Sequence, residues 1–171
     1  MNGLSEEHLL NRAKNAYHLL NSWKKIPGVD LEGNIDEYFL NDWVDKVRKI
    51  SSEIYHIEVA DSIIGQILAE YPEQDIIWPP KEICRVIERI NTQSIKTGFT
   101  CATLNKRRTT WRGIYDGGDI ERENVIYFSK LSSNLNIIFP IVATILDDIA
   151  RKYEDDVKRQ DDDAKKSILE H

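Results

Sequence analysis

The sequence predicts an all-α fold: a multi-helix bundle or array of about six to eight helices, with no sheet. Three observations carry this reading. Apolar residues recur at three-and-four spacing in one segment after another. Proline, glycine and small polar residues punctuate the chain at helix-length intervals. No segment alternates apolar with polar residues or carries a two-residue hairpin turn.

The first helix is expected from Ser5 to about Lys25. Ser5 is a good N-cap, and Glu6 and Glu7 suit the positive end of the helix dipole. Leu9, Leu10, Ala13, Ala16, Tyr17, Leu20, Trp23 and Ile26 share one face, and Pro27-Gly28 ends the run. Gly33-Asn34 opens the second helix, with Asn34 as the expected N-cap. Ile35, Phe39, Leu40, Trp43, Val44, Val47 and Ile50 give it the cleanest amphipathic pattern in the chain. At Ser51-Ser52 the pattern allows either a break or continuation to Tyr55.

A third helix is expected over about Val59 to Glu70, closed by Tyr71-Pro72, because the residue before proline is pushed out of the helical region. In the loop from Pro72 to Pro79, Ile76-Ile77-Trp78 should tuck into the core. Pro80 suits the first turn of a fourth helix carrying Ile83, Cys84, Val86, Ile87 and Ile90. After Asn91-Thr92, a weaker helical segment carries Ile95, Phe99, Ala102 and Leu104. Gly98 and several threonines lower its propensity and leave room for a kink. Thr109 to Gly118 reads as a loop. Asp119 is expected to cap a helix to about Leu135, and Phe139-Pro140 begins the last one, with Ile141, Val142, Ile145, Leu146, Ile149, Tyr153 and Val157 on its face. The loop divides the chain into an N-terminal helical part, 1–108, and a C-terminal helical part, 109–168, packed on it. Residues 169–171, Leu-Glu-His, resemble the start of an expression tag.

At 171 residues and 41% apolar content the chain suits one compact domain. Its net charge of −6 argues against wholesale nucleic-acid binding. Cys84 and Cys101, without metal-ligand spacing, read as two partly buried core thiols in a reducing compartment. No apolar run approaches the roughly 20 residues that span a bilayer. The N-terminus lacks the basic start and apolar segment of a signal peptide. The expectation is a cytoplasmic protein without membrane partners.

Candidate chemistry is sparse. Glu53 and His56 have the Glu-x-x-His spacing that places two ligands on one helix face, but a di-iron site needs a second such pair. His56-Ile57-Glu58 resembles half of a zinc deaminase signature whose two-cysteine half is missing. Asp30-Leu31-Glu32-Gly33-Asn34 lacks the chelating series of a calcium loop. Gly117-Gly118 is followed by no Gly-Lys-Ser/Thr, and Asp119, Glu121 and Glu123 would repel phosphate there. These readings give no catalytic residue, no metal and no cofactor. From Asp147 to Asp163, eight acids alternate with four bases at helical spacings, which reads as a solvated face of weak ion pairs.

The basic cluster is the one candidate site. Lys106, Arg107, Arg108 and Arg112 place four positive charges within seven residues, with Trp111 among them. Such a group docks an acidic partner with the tryptophan as anchor, or tracks a phosphate backbone and stacks on a base. The structural alternative is a tryptophan plugged into the core and arginines neutralising Asp116, Glu121 and Glu123.

Trp111-Arg112-Gly113, Asp116-Gly117-Gly118, Glu121-Arg122, Tyr127, Pro140, Ala143, Ile149-Ala150, Tyr153-Glu154, Asp161 and Ala164 form a further pattern. It resembles the C-terminal helical region of large, uncharacterised bacterial proteins and covers about the last third of the chain. The resemblance implies a C-terminal piece of a larger bacterial protein and brings no catalytic motif. The favoured reading is a non-enzymatic interaction or scaffold domain that meets a protein partner, or another domain of the same parent chain. The alternatives are a nucleic-acid-binding accessory domain and a non-catalytic part of an enzyme whose active site lies elsewhere.

Overall fold

The computed structural model describes Asn11 and residues 25–72, 78–106 and 118–169. The chain is all-α. The described residues form six helices: α1 Glu37–Glu53, α2 Ile57–Ala69, α3 Lys81–Ile90, α4 Gln93–Asn105, α5 Asp119–Leu135 and α6 Pro140–Leu169. No strand forms among them; one isolated antiparallel bridge pairs Val29 with Ile35. The expected first helix lies outside the described residues except at Asn11 and Lys25, as do Ile76 and Ile77.

The helix ends follow local chemistry, with several corrections. Asp36, not Asn34, caps α1: its Oδ1 accepts from the Phe39 N–H at 2.9 Å. Asn34 is spent one turn earlier, where its backbone N–H and side-chain amide donate to the Asp30 carboxylate at 2.8 and 3.0 Å. α1 stops at Glu53, and Tyr55 takes a left-handed φ of 59° before α2 starts at Ile57. Glu53 and His56 therefore stand on opposite sides of a chain reversal, not on one helix face. Pro80 precedes α3 as its extended N-cap residue and does not enter the first turn. Asp119 is the first residue of α5, and Gly118 holds the cap position.

α4 runs unbroken where the sequence leaves room for a kink. Its glycine serves packing instead. A Cβ on Gly98 would stand 1.9 Å from the Ser62 carbonyl oxygen, and one on Gly65 would stand 2.2 Å from that of Ile95. The backbones of α2 and α4 thus lie directly against each other, antiparallel. α5 and α6 make the other close antiparallel pair, with Gly118 against Val157 and Ser132 Oγ donating to the Ala143 carbonyl at 2.8 Å.

Trp78, 1% exposed, joins the two pairs. It stacks on Phe99 of α4 at 5.7 Å and meets the edge of Phe128 of α5 at 6.1 Å; Phe128 in turn stacks on Tyr153 of α6 at 5.6 Å. Its indole N–H donates to the Tyr71 carbonyl at 3.2 Å, so this large apolar group enters the core with its polar atom satisfied. Ile64, Ile67, Ile83, Ile87, Ile95, Leu146 and Ile149 fill the space around it.

Candidate functional site

Of the basic cluster, Lys106 alone is described; Arg107, Arg108, Trp111 and Arg112 lie outside the described residues. Lys106 closes α4, and its ammonium turns onto the body of the protein. It donates to the Tyr71 carbonyl at 2.9 Å and lies 6.0 Å from the centre of the Trp78 ring. The end of α4 is thereby tied to the central aromatic group. Of the acids expected to neutralise the cluster, Glu121 is buried at 3% exposure, Glu123 is exposed, and Asp116 lies outside the described residues.

The acidic run on α6 forms the helical ion pairs its spacing predicts: Asp147 with Arg151 at 2.5 Å, Asp155 with Lys158 at 3.7 Å, Asp156 with Arg159 at 2.7 Å. Asp161 departs from that pattern. It accepts the Gly118 backbone N–H at 3.0 Å and binds Arg122 at 2.5 Å, fastening the start of α5 to α6. The Gly118 hydrogen bond, with Arg122 beside it, holds its carboxyl below the usual carboxylate range.

A second carboxylate performs a similar task from farther away. Glu88 of α3 reaches the first turn of α6, where Oε1 accepts from the Ile141 and Val142 N–H groups at 2.8 and 3.0 Å. Proline at the first position supplies no donor, so the next two orphan N–H groups receive a cap from another helix. The same charge, after burial itself, helps push the Cys84 thiol up to about 12. Cys84 is inert inside the core. Cys101 is exposed, contrary to the expectation of two partly buried thiols.

Between α4 and α6 lies a cleft of about 500 Å³. Lys96, Thr100 and Cys101 border it from α4; Ile141, Ile145, Asp148 and Lys152 border it from α6. A second hollow of about 450 Å³ shares Lys152 and continues past Leu104 towards the end of α4, with Asp155 and Asp156 on its rim. Sequence reasoning missed both. The only signal was the small and polar stripe Thr97, Thr100, Cys101 on a helix otherwise committed to the core. Comparison of the chain with protein-family models, curated proteins and solved structures gives no match.

Proposed function

We propose that this chain is a non-enzymatic interaction domain of a larger bacterial protein. It docks an acidic surface of another protein, or of another domain of its parent chain, through Arg107, Arg108, Trp111 and Arg112, which follow the anchored Lys106. The observation that carries the reading is the clamp at the end of α4. Lys106 is fixed by the Tyr71 carbonyl and the Trp78 ring, so the three arginines follow in sequence from a rigid point. Four positive charges within seven residues of a chain of net charge −6 support a local contact with an acidic patch of limited extent rather than a long phosphate backbone. Trp111 supplies the aromatic group that dominates such contacts.

The test is titration with an acidic polypeptide, poly-glutamate, and in parallel with single-stranded and duplex oligonucleotides, each at two salt concentrations. Poly-glutamate binding weakened about tenfold or more by Arg107→Glu with Arg108→Glu, and also weakened by Trp111→Ala, supports the proposal. Preferential oligonucleotide binding, with a log-log salt slope of about −0.7 per phosphate contact on single strands, replaces it with the nucleic-acid reading. Failure of poly-glutamate to bind, with Trp111→Ala unfolding the protein, assigns the cluster to the core.

A further inference from the structure

We infer that the cleft between α4 and α6 is a binding site for a small molecule carrying a dianionic oxyanion, of the phosphate-monoester class. The argument begins with charge. Each carboxylate that borders the cleft or its continuation lies within ion-pair distance of a cation other than the two lysines, although Asp148 shares its Arg151 with Asp147. Asp148 pairs with Arg151 at 3.8 Å, Asp155 with Lys158 at 3.7 Å, and Asp156 with Arg159 at 2.7 Å. Among the described residues neither Lys96 nor Lys152 has a carboxylate within ion-pair distance. Both nevertheless border one concavity, Lys96 from α4 and Lys152 from α6. Two unmatched ammonium groups on opposite walls suit one dianion better than a monocarboxylate, which needs only one of them.

The remaining lining fits the same ligand class. Thr100 lines the cleft at 8% exposure and its hydroxyl makes no hydrogen bond within the described residues, which leaves it a donor to spare. The backbone N–H groups at the start of α6, an alternative anion site, are already taken by Glu88. Recognition therefore falls to side chains. Ile141 and Ile145 give the α6 wall an apolar floor beside the lysines, where the carbon part of a monoester can rest. At about 500 Å³ the cleft has the size of a small-molecule pocket.

The site contains its own reporter. Cys101 lines the cleft and is exposed, while Cys84 is buried with its thiol pushed up to about 12, so a thiol reagent reads the cleft. The experiment uses the full chain and phenyl phosphate as probe, with inorganic phosphate, benzoate and phenol for comparison. Binding is followed by calorimetry and by the rate of Cys101 alkylation. Phenyl phosphate should bind saturably and slow alkylation; inorganic phosphate should bind more weakly, and phenol not at all. Lys96→Gln or Lys152→Gln should each weaken binding about tenfold. Lys152 is exposed, so its variant keeps the fold and reads the charge alone. Absence of saturable binding, equal binding of benzoate, or indifference to both lysine variants overturns the inference.

Discussion

Asp61 looks unremarkable in the sequence, one of two acids, with Glu58, on a mostly apolar helix. In the fold it is 1% exposed and joins three helices. Arg48 of α1 donates to it through Nε at 2.8 Å, and Thr92 Oγ1 donates at 2.9 Å. Thr92 is also the N-cap of α4, where the same oxygen accepts the Ile95 N–H at 3.3 Å. Removing the carboxylate leaves a half-buried guanidinium without its partner and loosens a helix cap. Asp61→Ala should therefore lower stability by about 2–3 kcal/mol in urea unfolding, less than a fully buried pair because Arg48 keeps 27% of its side chain in water. Asp61→Asn, which retains an acceptor, should cost about half as much. Loss of less than a few tenths of a kcal/mol in Asp61→Ala would contradict this account. The role was hidden in the sequence because the partners lie 13 and 31 positions away, beyond any helical period.

Helices were legible where one face alone decides the pattern, and misread where packing uses something other than a side chain. α3 is the clear case. Ile83, Val86, Ile87 and Ile90 are buried while Arg85 and Arg89 reach out to Glu37 and Asp45 of α1 at 2.6 Å each. α1 gave the cleanest apolar stripe, yet only Leu40 and Val44 are buried in it; Phe39 and Ile50 remain 52% and 62% exposed. This helix buries only part of its apolar side, and hydrophobic spacing does not say how wide such a contact is. In α4 the low-propensity residue has a packing role instead. Gly98 lowers helix propensity by about 1 kcal/mol relative to alanine, which leaves room for a kink. The missing side chain admits the backbone of α2. Gly98→Ala should then destabilise the protein by about 1–3 kcal/mol despite its better propensity, because a methyl group must displace main chain. Thermal unfolding checks this: a raised Tm would mean that the helices separate without cost.

For the molecule as a whole, the class of fold followed from periodicity, since each helix declares itself within its own residues. The cleft did not, because it belongs to no helix. It depends on how α4 and α6, two elements far apart in the chain, come to face each other, with Thr100 on one wall and Ile145 on the other. Trp78 was expected inside the core, but its place between Phe99 and Phe128 is a property of the assembly.

The Glu88 carboxylate has a consequence for cutting the chain. The group that opens α6 is encoded before the 107–117 segment, on the other side from the helix it serves. A polypeptide covering 109–168 inherits α6 without its opening cap and without Trp78 against Phe128. Expressed separately, 1–108 and 109–168 should each be incompletely ordered, and mixing them should restore helicity by association. Carrying Glu88→Ala on the first piece should weaken that association about five- to tenfold, the worth of one cap. Circular dichroism of the pieces, alone and mixed, measures it. If 109–168 alone reaches full helicity and ignores its counterpart, the two stretches are independent units. Otherwise they are halves that recognise each other in trans.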